Sequence, residues 1–201
     1  IFPEGCIADR SGPMIYSDNY KMMLYLEGYL NSNICSIYAN ALIPTLHFTW
    51  GDVSKIPVIY DISHFDEVCN LVSKNNNLAK IEYNLNETSW DFKKSPLLLM
   101  DGLMSERCLK LESYISSIHE KIRFNEESLN SIFINAESIS GLSPAVPDSH
   151  FSFYKESLQS MVVKLASYAV GCIFGRYSLD KEGLINAGGD WVDSGPSFKA
   201  D

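Results

Sequence analysis

Apolar residues recur along this chain at three- and four-residue steps, the spacing that lays one stripe along an α-helix. Met23, Leu26, Leu30, Ile34, Ile37 and Ala41 make the first stripe. They predict one amphipathic helix starting near Tyr20, capped by Ser17 or Asp18 and ended by Pro44. Phe65, Val68, Cys69 and Val72 form a second face, and Asn75-Asn76-Asn77 is expected to break that helix or allow a short connection. Cys108, Leu111, Ile115, Ile118 and Ile122 form a heptad-like seam, with Glu106, Arg107, Lys110, Glu112, Glu120 and Lys121 largely outside it. Leu129, Ile132, Phe133, Ala136 and Ile139 repeat the pattern. An antiparallel helical pair or small bundle is expected to bury both seams. A last helix is expected from about Tyr154 to Cys172, with Leu158, Met161, Val162, Leu165, Ala169 and Cys172 on its apolar face. Ser167, Ala169 and Gly171 would let a neighbour approach it closely.

Alternating patterns are short and confined to the first third. Met14-Ile15-Tyr16 and Leu46 to Trp50 read as strands, with turns at Gly12-Pro13 and Gly51-Asp52. Ile56 to Ile59 reads as an edge strand or extended run, because Pro57 cannot donate to a ladder. Gly188-Gly189 frees the backbone near the end. The expected fold is mainly α, within the α+β class: a small N-terminal β element with a helix, then a helical spacer or bundle. Three segments follow: 1–61 α/β, 62–142 a helical spacer, and 143–201 a terminal helix and linker entered through the extended Pro144–Asp148.

Composition adds little to this picture, but charge adds something. Hydrophobic residues make up 46% and charged residues 20% of the 201, ordinary values for a folded soluble chain. No apolar run reaches the roughly 18 residues that span a bilayer. Ile-Phe-Pro-Glu-Gly at the start is not a signal-peptide pattern. The expectation is a cytoplasmic piece of a longer protein, with no membrane contact. A net charge of −9 is the wrong sign for a free-standing DNA-binding module, since phosphate neutralisation dominates affinity. Cys6, Cys35, Cys69, Cys108 and Cys172 are widely spaced, with no C-x-x-C pair and no His at zinc-ligand spacing. Reduced, mostly buried thiols and no metal are expected.

Two stretches carry a family resemblance. The first is Tyr29-Leu30-Asn31-Ser32-Asn33, then Pro44-Thr45-Leu46-His47-Phe48 and Gly51-Asp52-Val53-Ser54-Lys55-Ile56-Pro57-Val58. It resembles a pattern that follows the catalytic domain of large bacterial adenine-specific DNA methyltransferases. A looser version closes the target-recognition domains of type I restriction specificity subunits. Ile43 stands where that pattern usually has Asn before Pro-Thr, and His47 where Asn is common. The second stretch, Ser167 to Asp180 with Gly183-Leu184, is very close to a signature of the methyltransferases of BREX phage defence. Glu87-Thr88-Ser89-Trp90-Asp91-Phe92 and the run Glu126 to Ile134 match that family too. The four motifs stand in the family's order.

The resemblance implies an S-adenosylmethionine-dependent adenine methyltransferase as parent, acting on a base flipped out of duplex DNA. The Asn-Pro-Pro-Tyr catalytic motif it leads one to expect is absent from this chain, and so is a glycine-rich donor loop after a strand. The chain itself is therefore expected to hold no cofactor and no catalytic residue. Its expected work is to contribute to target recognition and to domain spacing. Duplex DNA would be met through the parent, other BREX subunits are possible partners, and the isolated chain would be a monomer or weak dimer. Two readings compete: a stand-alone helical module that oligomerises through the seams, and a specificity-subunit-like DNA-binding module.

Candidate site residues follow from these readings. Thr45, His47 and Thr49 are DNA-contact candidates, because hydroxyls and polar tips meet phosphates and bases; the alternative is an ordinary turn with Trp50 half-buried. Arg176 either caps the last helix at its negative end or reaches a phosphate. Asn31, Ser32, Pro44, Gly51 and Asp52 are expected to shape the recognition loop, with Asn31 and Ser32 in mid-helix bonding the loop from Pro44 to Asp52. Trp90 and Tyr177 are expected to anchor one segment on another. Ser89 lacks a His with a partnering signature, so no hydrolase site is expected.

Overall fold

A computed structural model describes residues 14–43, 49–148 and 157–186. These residues are mainly helical, and no strand occurs among them. The expected N-terminal β element is thus not shown. Met14 to Tyr16 and Ile56 to Ile59 lie outside any sheet, and Trp50–Val53 forms a helical turn where a strand had been expected to end. Gly12-Pro13, residues 44–48 and Gly188-Gly189 lie outside the described residues.

The stripe beginning near Tyr20 is divided between two helices, α1 (Tyr20–Leu30) and α2 (Asn33–Leu42). Asn19, not Ser17 or Asp18, caps α1 by accepting from Lys21 N and Met22 N. Ser32 makes the break. Its backbone is extended (φ −79°, ψ 156°), and its hydroxyl accepts from Cys35 N while donating to Tyr29 O at 2.6 Å. A short hydroxyl that satisfies both a helix start and the end of the preceding helix favours two helices over one. The buried face of α1 is Leu24, Tyr25, Gly28 and Tyr29, displaced from the stripe read in the sequence. Ile34 is buried as expected, whereas Ile37 and Ala41 are exposed.

After the turn α3 (Trp50–Val53), the helix α4 (Phe65–Tyr83) buries Val68, Cys69, Leu71 and Val72. It runs straight through Asn75-Asn76-Asn77, where a break was expected. Asn75 Oδ1 accepts from Asn125 Nδ2 at 2.7 Å, and Asn76 Nδ2 donates to Glu27 Oε2 at 3.0 Å. Side-chain amides bonded to other elements no longer compete for their own backbone, which removes the usual objection to Asn in a helix. The two seams likewise lie on one helix, α5 (Met104–Ala136), 33 residues long, and not on an antiparallel pair. Cys108, Leu111, Ile118, Ile122, Leu129 and Phe133 are buried along it. The last described helix is α6 (Leu158–Ile173), capped by Ser157.

The chain packs as two units, Ile1–Leu78 with Glu120–Ser152, and Ala79–His119 with Phe153–Asp201. Both α4 and α5 pass through the unit boundary. The first unit's core is Leu24, Tyr25, Tyr29, Val68, Val72 and Phe133 with their neighbours. Gly28 is required there: a Cβ on it would lie 2.8 Å from Val72 Cγ2. The second unit has an aliphatic core around Leu97, Cys108, Leu111 and Met161, and an aromatic one of Phe92, Tyr168 and Tyr177.

Candidate functional site

In the first unit, two of the sequence motifs meet at one buried side chain. Asn130, on α5, accepts from Asn33 N at 2.9 Å and donates to Pro144 O at 3.0 Å. Asn33 Nδ2 donates to Ser143 O, and Glu127 Oε1 accepts from Val146 N. The extended stretch Ser143 to Val146 is thereby strapped to the start of α2 and to α5. An extended chain outside a sheet needs partners for its peptide groups, and Asn33, Glu127 and Asn130 supply them.

The same logic explains the run Ile56 to Asp61. Tyr29 donates to Pro57 O at 2.5 Å, while Tyr25 donates to Ile59 O and accepts from Asp61 N. Two tyrosine hydroxyls from α1 replace the ladder that a neighbouring strand would have supplied. Burial pushes both hydroxyls above the usual tyrosine range. Phe133 meets both rings edge-on, at 5.7 and 5.3 Å.

The loop-shaping candidates fall out unevenly. Asn31 caps α1, with Nδ2 donating to Glu27 O at 2.8 Å, and Ser32 bonds within its own helix junction as described. Gly51 lies inside the turn α3. Asp52 accepts from both the backbone N–H and the hydroxyl of Thr49, and lies 3.0 Å from Lys55 Nζ. That is a capping arrangement with the acid at the third helical position, and Thr49, then Lys55, hold the carboxyl down to about 2. Thr49 is exposed, but its hydroxyl proton already points to Asp52. Pro44, Thr45 and His47 lie outside the described residues.

In the second unit, Tyr177 is buried between Phe92 and Tyr168, 5.5 and 5.2 Å away. It joins the loop after α4 to the residues after α6. Trp90, expected to share that role, stands 82% exposed, and Phe92 two residues on is the buried one. A single aromatic position is filled, and Phe92 lacks the indole N–H that would need a partner there. Lys94 Nζ donates to Leu179 O, and Gly183 N to Lys93 O, so the Phe92 loop also holds the end of the Ser167–Asp180 motif. Arg176 follows the C-terminus of α6, is exposed, and has its guanidinium 5.5 Å from the Tyr177 ring centroid.

Gly171 allows this packing, because a Cβ there would lie 2.7 Å from Tyr177 Cδ2. Gly171→Ala gains about 1 kcal/mol of helix propensity, but overpacking against a buried ring costs about 1–3 kcal/mol. The expected net result is a loss of up to about 2 kcal/mol with a changed near-ultraviolet tyrosine signal; a stabilised variant with an unchanged signal would refute the contact.

A cavity of about 130 Å³ opens beside this cluster. Ligand pockets of drug size take about 300–1,000 Å³, so this cavity is smaller than those. No glycine-rich turn after a strand occurs among the described residues. No group of three potential metal ligands and no helix long and apolar enough to cross a membrane occurs among them. Cys35, Cys69 and Cys108 are buried and Cys172 is half-buried, all as free thiols.

No protein-family model matches the chain. It is 30% identical over 197 residues to the adenine-specific methyltransferase PglX of Lacticaseibacillus casei (strain Zhang), covering 94% of this chain and 16% of that protein. It is 31% identical over 203 residues to the adenine-specific methyltransferase BrxX of Escherichia coli (strain HS), covering 92% of this chain and 16% of that protein. The chain thus spans about one-sixth of the length of these curated relatives. Along nearly all its length, this chain is a relative of the PglX and BrxX adenine-specific methyltransferases.

Proposed function

We propose that the chain is an architectural, non-catalytic portion of an S-adenosylmethionine-dependent adenine-specific DNA methyltransferase of BREX phage defence. It contributes to DNA target recognition and sets the spacing of the parts around it. The carrying observation is that more than nine-tenths of the chain aligns with a sixth of two such enzymes, while its own sequence has neither an Asn-Pro-Pro-Tyr motif nor a donor loop. Thr45, His47, Thr49 and Arg176 remain the positions proposed to approach duplex DNA, with Arg176 best suited because its exposed guanidinium matches a phosphate.

The net charge of −9 supports a portion that borrows basic surface from elsewhere in the parent. Oligomerisation through the seams is less well supported. Leu111, Ile118, Ile122, Leu129 and Phe133 are already covered inside the chain. A cytoplasmic location and contact with other BREX subunits belong to the same reading.

The test uses the 201-residue chain with duplex DNA and labelled S-adenosylmethionine. No methyl incorporation is expected, and duplex binding at low salt should be absent or weaker than about 10 μM, since non-specific binders register near there. Methyl transfer by the chain alone would overturn the non-catalytic assignment. In a whole relative, alanine at the position matching Arg176 should weaken duplex binding and flatten its salt dependence; unchanged binding would remove Arg176 from the DNA contacts.

A further inference from the structure

The cavity beside the aromatic cluster has a separate use. Its floor is Leu85, Leu97, Leu111, Ile115 and Met161, and the Phe92 and Tyr168 rings border it. Leu97, Leu111 and Met161 are almost wholly buried. Its polar lining is Glu82, Asn86, Glu87, Ser95 and Lys164. Every one of these residues belongs to the second packing unit.

Size and charge together restrict what would enter. An apolar cavity of about 150 Å³ holds benzene, so about 130 Å³ admits one ring or a branched alkyl group of similar size. Lys164 Nζ donates to Asn86 Oδ1 at 2.7 Å. His119 Nε2 lies 2.8 Å from Glu82 Oε1. The lining carries two carboxylates, Glu82 and Glu87, and one ammonium, Lys164, an acidic excess that disfavours an incoming anion.

We propose that this cavity is a binding site for a small amphipathic amine: a ring-sized apolar body on the aliphatic floor, with its ammonium toward Glu82 and Glu87. It is independent of the methyltransferase reading and needs no other part of a larger protein.

The experiment titrates the whole chain with benzylamine, benzyl alcohol and benzoate, following the methionine methyl resonances by NMR. Met161 is assigned through M161L. Benzylamine should move the Met161 methyl, saturating near 1 mM, an affinity suited to so few heavy atoms. Met22 and Met23, in the first unit, should stay still. Benzyl alcohol should bind at least about 5-fold more weakly, as an uncharged isostere forgoes the charge-assisted bond, and benzoate should not saturate. Glu87→Gln should shrink the preference for the amine over the alcohol. Ile115→Phe should fill the cavity and abolish the shift. An unmoved Met161 methyl, or benzoate binding as tightly as benzylamine, would overturn the proposal. An undiminished preference in the folded Glu87→Gln protein would overturn its charge assignment even where Ile115→Phe fails to fold.

Discussion

Phe133→Ala is expected to lower the unfolding free energy by about 4 kcal/mol, the middle of the range for emptying a buried phenylalanine site. Phe133 is fully buried, and its ring meets Tyr25 and Tyr29 edge-on. Each such aromatic pair adds about 0.5–1.5 kcal/mol beyond the area buried. The two tyrosines also carry the only hydroxyls described as holding Pro57 O and Ile59 O. Loosening Phe133 therefore loosens the extended run as well as the core. Against a total stability of about 5–15 kcal/mol for a folded chain, the loss is a large fraction of the whole. Phe133→Leu keeps more of the volume but gives up both ring pairs, and should lose about 1–3 kcal/mol, less than the alanine variant. Urea denaturation decides this: the midpoint should fall with the slope unchanged. A loss below about 1 kcal/mol for the alanine variant would show that the ring is not where the core energy lies.

Asn130→Ala should cost about 3 kcal/mol, although it removes only a short polar side chain. Its amide accepts from Asn33 N and donates to Pro144 O, and it is almost wholly buried. Truncation leaves two backbone groups without that partner, at about 1–3 kcal/mol each when no water replaces it. Asn33 Nδ2 still reaches Ser143 O, and Glu127 still reaches Val146 N. The strap from Ser143 to Val146 should therefore loosen but not detach. Hydrogen exchange is the direct measurement: the Asn33 amide should lose protection in Asn130→Ala, with the Val146 amide less affected. Asn130→Asp keeps an acceptor for Asn33 N but presents a carboxylate to Pro144 O, and should be no better than alanine. Unchanged exchange at Asn33 would mean that the clasp does not hold the strap.

Much of the helical content was legible because period-three-and-four spacing is a local property. Val68, Cys69 and Val72 on α4 came out buried as read, and so did Ile34 and most of the first seam along α5. The family resemblance was legible for a different reason: four short motifs in order carry identity without any knowledge of packing, and two methyltransferases match almost the whole chain. The errors share a physical origin. Asn75 and Asn76 look like helix breakers until their amides are seen to bond across elements. Ser32 looks like a weak mid-helix residue until its hydroxyl is seen to serve two helices at once. Ile56 to Ile59 looks like an edge strand until two tyrosines on α1 take over its hydrogen bonds.

The candidate site was less legible than the fold. Asn130 and Asn33 each sat within a recognised motif, yet 97 residues separate them and no spacing rule links them. Trp90 is the larger aromatic, but Phe92 is the one that packs against both Tyr168 and Tyr177. The small size of Gly28 and Gly171 has meaning only beside Val72 and Tyr177.

By itself the sequence determined that this chain is mainly helical, which faces of α4 and α5 are apolar, and to which enzymes it is related. Those follow from local periodicity and from residue identity. The tertiary structure decided where helices end, which polar side chains are satisfied, and that α4 and α5 each serve two packing units. A hydrogen bond from a distant residue reverses the local preference of an Asn or a Ser, and nothing in the residue's own neighbourhood announces it.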